Sequence, residues 1–426
     1  MGHGDLGVSN AMQTATATRN ITRDRGLLAR VRVSDAALAF FIFTTVFFNE
    51  GELVSVVSKV FLLLVTLFEC VMKRKSPFNG FTVACLIFFA WSVASLSWSA
   101  VPSESVARIK TFFYQLVCYG CVSALVIDDK QALKISLVAF SVSSIASAAY
   151  VLGFQGIRFT DNRYVDGSVS SGQLALCIAF TMLLCIYEWR KARQGGYIAL
   201  LVVLSLALLM TSARRDFIIL LVFLVIFSTL GSGDIRKRIV LFSICVLVAV
   251  GLLHAVLNID FLYQYLGRRI ESFLQFAFAG GAGDASTEGR ARLIEYGLDL
   301  FRSSPMLGKG VGSFEALFST THGSWQTSAD NNYVELLADL GIPGFLAYYV
   351  PLVVFLVRRL RGITSASIDV QFAVSGIIAF ATIDFACVWF FSKCGMLQIL
   401  FFYLMAKSAL SEKRIEEPVS HGNMVL

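Results

Sequence analysis

Long apolar runs separated by short polar breaks occupy most of the chain. They fall at about 35–49, 53–72, 80–98, 109–127, 133–152, 172–188, 196–212, 216–230, 238–257, 342–357, 368–390 and 395–411. Many approach the ~20 residues that a helix needs to cross a bilayer, and a lone segment in lipid satisfies its backbone only as a helix. The pattern predicts an all-α fold, a polytopic transmembrane helix bundle of about 12 spans, with one long, partly helical extracytoplasmic loop. No internal repeat relates its halves.

Basic clusters give the bundle a direction. Lys73-Arg74-Lys75, Arg190-Lys191-Arg193, Arg236-Lys237-Arg238, Arg358-Arg359-Arg361 and Lys413-Arg414 follow spans two, six, eight, ten and twelve. All five fall on one face, which the positive-inside bias makes cytoplasmic. The expected organisation is a cytoplasmic tail over 1–34, spans one to nine over 35–257, an extracytoplasmic segment over 258–341, spans ten to twelve over 342–411, and a cytoplasmic tail over 412–426. The first 34 residues carry five arginines between Arg19 and Arg32 and read as a tail, not a cleaved signal peptide.

The segment between spans nine and ten is far longer than an ordinary connection. Within it, Arg290 to Arg302 places Leu293, Ile294, Gly297, Leu298 and Phe301 on one helical stripe, so a helix there is expected to lie on the membrane surface or cap the bundle.

Composition sharpens this reading. The 426 residues are 56% hydrophobic and 15% charged, with a mean hydropathy of +0.71. These values exclude a soluble enzyme, a nucleic-acid-binding module and a secreted disulfide scaffold. The nine cysteines lie in or beside apolar runs and read as small core hydrophobes. Most of the net charge of +7 is topological signal.

The exceptions carry the candidate chemistry. Arg214 and Arg215 stand in the outer turn Thr211–Asp216, where topology asks for no positive charge. Snorkelling with a local Asp216 pair is one reading; anion binding by the guanidinium fork is the other. Arg158, Arg163, Arg268, Arg269, Arg290, Arg292, Arg302 and Lys309 add to a basic outer surface suited to a polyanionic substrate. The stretch Pro305–Phe314 lacks the Gly-Lys-Ser/Thr ending of a nucleotide loop and reads as a glycine-rich turn packed on the bundle.

Farther on, Asn332 and Glu335 have capping-box spacing, which predicts a helix from Asn332 to Gly341 and leaves Asp330 just outside its N-terminus. There Asp330 either complements the helix dipole or accepts a proton from an incoming hydroxyl. Lys59, Glu69, His254 and Asp384 fall inside spans, where ionisable groups are costly. Asp384 is expected to meet a polar or cationic partner such as Lys393 or an outer arginine.

These residues together resemble the bacterial O-antigen ligase and oligosaccharide repeat-unit polymerase (Wzy-like) superfamily, and most of all exopolysaccharide polymerases of the ExoQ kind. The matching stretches are Ser95–Ser99 with Pro102; Arg163, Gly167 and Gln173–Ala175; Thr211–Arg214; Gly289-Arg290 with Pro305, Gly308, Gly310 and Gly312; and Asn331 through Gly344. The resemblance covers about residues 85–345.

It implies extracytoplasmic glycosyl transfer in the bacterial inner membrane from an undecaprenyl-diphosphate-linked oligosaccharide, with no nucleotide sugar, cofactor or metal. It assigns diphosphate contacts to Arg214 or Arg215 and to Arg290, a catalytic role to Asp330, and substrate contacts to Arg163, Asn331, Tyr333 and Arg292. The ligase branch usually carries histidine where this chain has Asp330, which favours a polymerase. A ligase acting on lipid A core, a lipid-linked glycan exporter and a non-catalytic scaffold are the alternatives. A chain-length regulator and a flippase of the same pathway are the implied protein partners, and no nucleic acid is.

Overall fold

The computed structural model describes residues 32–48, 51–74, 76–154, 171–211, 215–230, 236–240, 242–243, 247, 251, 254, 258, 285–323, 327–363 and 366–416. Its helices are α1 (Val33–Phe47), α2 (Leu53–Lys73), α3 (Gly80–Ala94), α4 (Pro102–Val126), α5 (Lys130–Phe154), α6 (Ser171–Ala192), α7 (Gly196–Met210) and α8 (Arg215–Leu230), then α9 (Ala285–Ser303), α10 (Ser313–His322), α11 (Asn332–Leu360), α12 (Ile368–Ile383) and α13 (Lys393–Glu416). Among the described residues six helices are long and apolar enough to cross a membrane, and Val33–Phe47, Gly196–Leu208 and Ile368–Ile383 are shorter apolar helices. The chain is an all-α polytopic membrane protein.

Burial orders the bundle. On α6, Leu174–Tyr187 is buried almost without interruption, and the fully buried Phe180 meets the rings of Phe140, Phe380, Phe401 and Phe402. Edge-to-face and offset rings of this kind add to the apolar burial. By contrast, α2 keeps Leu64, Leu67, Phe68 and Val71 exposed, as suits a helix at the lipid boundary. Its Glu69 carboxylate pairs with Lys73 at 2.7 Å, one turn on.

Two elements expected on the outer face meet, the Ser97–Ser105 turn and the glycine-rich turn of the long loop. The glycine-rich turn before α10 lies in a seam between the α3–α4 connection and α11. Lys309 N donates to Ala338 O at 2.9 Å, Gly310 N to Asp339 O at 2.8 Å, and Ala100 N to Lys309 O at 2.8 Å. Trp98 Nε1 donates to Leu307 O and Trp91 Nε1 to Leu340 O, each at 2.9 Å. The expectation of a turn packed on the bundle therefore describes this segment.

One expectation changes and two gain detail. The eleventh span does not run to 390. Its helix α12 stops at Ile383, and a non-helical turn fills 384–392 before α13. Buried polar contacts hold this turn against α11, so its backbone is satisfied inside protein.

The helix expected from Asn332 to Gly341 is present: at Gly341, φ 64 and ψ −169 leave helical space, so α11 is a loop helix and the tenth span joined across a kink. A Cβ there would stand 2.5 Å from Met306 O, so glycine alone lets the seam close.

On α9 the buried residues are Leu293 and Gly297 of the expected stripe, with Ile294, Leu298 and Phe301 half-buried, and Tyr296 and Leu300 join Leu293 on the packed side. This side packs on Phe314, Phe318, Ala329 and Ala338 as a small core separate from the bundle, so α9 caps α11. Protein contacts on that side, not the membrane, set its buried face.

Candidate functional site

The N-terminus of α11 organises the site. Asn331 is the N-cap: its side chain accepts from Val334 N at 3.1 Å. The cap thus lies one residue before the predicted Asn332, and Glu335 does not complete a capping box. Its Oε2 accepts from Ala329 N at 2.7 Å, past the cap.

Asn332 is released for a different task. Its backbone N–H donates to Asp384 O at 2.7 Å, its Oδ1 accepts from Trp389 N at 3.1 Å, and its Nδ2 donates to Tyr349 Oη at 2.9 Å. Asp384 accepts from Tyr349 Oη at 2.7 Å and from Trp389 Nε1. Its partners are therefore neutral donors, neither Lys393 nor an arginine; Lys393 Nζ donates to Phe48 O at 2.6 Å instead. This buried network pins the 384–392 turn to the head of α11.

Asp330, just ahead of the cap, has φ 50. Aspartate is among the few residues that tolerate this left-handed conformation. Arg290 Nε of α9 donates to Asp330 Oδ2 at 3.1 Å, with the two side chains 46% and 28% exposed. Two expected catalytic residues thus meet at a solvent-facing position.

Arg215 reaches the same region from the start of α8. Its Nη1 donates to Ala386 O at 3.1 Å, and its Nε lies 3.7 Å from Asp216 Oδ2. Asn331 Nδ2 donates to the adjacent Phe385 O at 3.5 Å. Cys387, next along, lies within electrostatic reach of Arg215, Asp216, Asp330 and Asp384. The 384–387 turn is thus a common floor, with the Arg290–Asp330 pair above one side and Arg215 against the other.

Tyr333 donates its hydroxyl to Ala381 O at 2.7 Å and stacks on Tyr349, with ring centroids 4.9 Å apart. What it offers a substrate is its ring, beside the 66% exposed Phe385 at 4.6 Å. Arg292 is exposed, but two residues along a helix is a rotation of about 200°, which points it away from Arg290. The structure does not bring it to the pair. Arg163 and Arg214 lie outside the described residues. Among the described residues no group of three or more His, Cys, Asp or Glu side chains is placed to hold a metal ion.

Sequence reasoning missed the support beneath the loop. Asp339, fully buried, accepts from Gly312 N at 2.6 Å and Phe314 N at 2.9 Å, while Arg108 of α4 bonds Glu315 of α10 at 2.5 Å. An acidic residue in an apolar helix was the available signal. Chemically, the site offers guanidiniums for an anion's oxygens and a half-open carboxylate that can take a proton.

Residues 199–349 match the family described as O-Antigen ligase. That span includes Arg215, Arg290 and Asp330. The match supports the ligase and repeat-unit polymerase superfamily that the motifs resemble, and does not reach the ExoQ kind. No curated protein matches the chain.

Proposed function

From the match of residues 199–349 to the family described as O-Antigen ligase, we propose that this chain polymerises undecaprenyl-diphosphate-linked oligosaccharide repeat units on the outer side of the bacterial inner membrane. The meeting of Arg290 with Asp330 beside the turn that Arg215 holds is the observation that carries this reading.

In this mechanism Arg290 and Arg215 bind the diphosphate of the donor, where negative charge grows as the glycosyl bond breaks. The acceptor hydroxyl attacks the anomeric carbon and passes its proton to Asp330. The carbon–oxygen bond to phosphate breaks, the lipid diphosphate leaves with the bonding electrons, and Asp330 later returns its proton to water. Asn331 fixes the carboxylate by capping α11, and the rings of Tyr333 and Phe385 offer a sugar-stacking face. Arg163 and Arg214 remain proposed substrate contacts, and a flippase and a chain-length regulator the proposed partners.

Aspartate at the position where ligase relatives carry histidine favours polymerisation; the family description favours ligation. The glycan profile of a deletion strain separates them. Single repeats still attached to lipid A core indicate a lost polymerase, and free polymer beside bare core a lost ligase. Arg290→Ala and Arg215→Ala should each lower product formation by roughly 10–150-fold at normal protein level, since each removes a charge-assisted bond worth about 1.5–3 kcal/mol. Unchanged product in both variants refutes the phosphate-binding role.

A further inference from the structure

A cleft of about 300 Å³ opens between α3 and α11, at the opposite end of α11 from Asp330. Its walls are apolar, with Ala84 and Phe88 on one side and Tyr348, Leu352 and Phe355 on the other; Arg358 and Arg359 close one end. Val354, on the lining, is 39% exposed, and Arg358 beyond it is exposed, so the cleft opens sideways. From Tyr348 to Arg359 the helix rises about 17 Å at 1.5 Å per residue, close to half of a ~30 Å hydrocarbon layer. The cleft is therefore about one leaflet deep, and its cations sit at the level of the headgroups.

The charged end has an unmet demand. The Nε of Arg359 is enclosed and has no hydrogen-bond partner among the described residues. Its guanidinium stacks over Phe355 at 5.5 Å, and Tyr403 stands between Phe355 and Phe81 with centroids 5.8 and 6.0 Å away. A buried guanidinium N–H without an acceptor is costly, and an anionic oxygen at the mouth would satisfy it. An apolar slot one leaflet deep beneath two arginines matches an acyl chain below a phosphate.

We infer that this cleft binds one anionic phospholipid, its acyl chain between α3 and α11 and its phosphate at Arg358 and Arg359. The site lies far from Asp330 and does not depend on the proposed activity. It would seal the gap between two helices and fix the bundle in its leaflet.

The test uses the full chain purified in mild detergent, titrated with phosphatidylglycerol and with phosphatidylcholine, and followed by native mass spectrometry. The wild type should hold a single phosphatidylglycerol at least about tenfold more tightly than phosphatidylcholine. The double variant Arg358→Gln/Arg359→Gln should weaken phosphatidylglycerol roughly thirtyfold, the weight of two cations near a membrane surface, and leave phosphatidylcholine unchanged. Ala84→Leu should weaken both lipids equally by filling the slot. Equal affinity for the two lipids in the wild type, or unchanged phosphatidylglycerol binding in the double variant, overturns the inference. So does a polyprenyl phosphate that displaces the phospholipid and ignores both arginines, because the cleft then serves a tail whose head lies elsewhere.

Discussion

Replacing Asp330 with asparagine separates chemistry from architecture. The helix cap is Asn331, so the change leaves capping intact. Asparagine tolerates the left-handed φ of 50 as aspartate does. What the fold loses is the 3.1 Å pair with Arg290, whose partners are 46% and 28% exposed; pairs this open contribute about 0–1 kcal/mol. Asp330→Asn should therefore unfold within a few degrees of wild type. If the carboxylate takes the acceptor's proton, the amide cannot, and turnover should fall by roughly 10²–10⁴-fold. The assay is glycan transfer in proteoliposomes from a polyprenyl-diphosphate donor, with thermal unfolding run on the same preparation. Asp330→His, carrying the base that ligase relatives use, should recover part of the rate. Full turnover in Asp330→Asn would leave the site as an anion-binding surface without a base.

Asp339→Ala strips the acceptor from Gly312 N and Phe314 N inside a buried seam. Each orphaned donor costs about 1–3 kcal/mol, so limited proteolysis should cut 285–323 much faster than in the wild type while the bundle survives; an unchanged cleavage rate would contradict the anchoring role. A cysteine at the exposed Thr320 should react with a membrane-impermeant thiol reagent in cells with a permeabilised outer membrane. Among the described residues every native cysteine is buried except the half-buried Cys70, at the basic end of α2. Labelling only after the inner membrane is broken would reverse the proposed orientation.

The bundle was legible in the sequence because lipid leaves so few choices: an apolar run of near twenty residues must be a helix. The turn at 384–392 was not legible, since Phe385-Ala386-Cys387-Val388-Trp389-Phe390-Phe391 continues the apolar run. What holds the chain in a turn after α12 is the side chain of Asn332, bonded to Trp389 and Phe390 more than fifty positions away in the chain. For the site, residue type pointed to Arg215, Arg290 and Asp330, because cations on the outer side and a carboxylate at a helix start need a reason. Their meeting place could not be read. Arg290 and Asp330 stand forty residues apart, and the floor between them and Arg215 is the turn that hydropathy hid. The cap was misplaced by one residue because Asn331 and Asn332 offer the same chemistry, and only tertiary demand for Asn332 decides between them.

The seam that docks the loop is made mostly of main-chain atoms. Pro305, Leu307, Lys309 and Val311 present carbonyls to Ile342 N, Trp98 Nε1, Ala100 N and Ser105 Oγ. Meanwhile the side chains of Met306 and Leu307 are 60% and 43% exposed. Such a joint registers the path of the chain and is indifferent to what its residues carry outward. Residues 306 and 307 can therefore be rewritten in charge, bulk or polarity without unseating α9 and the arginine it presents. They are a natural place to attach a reporter to this seam without disturbing it.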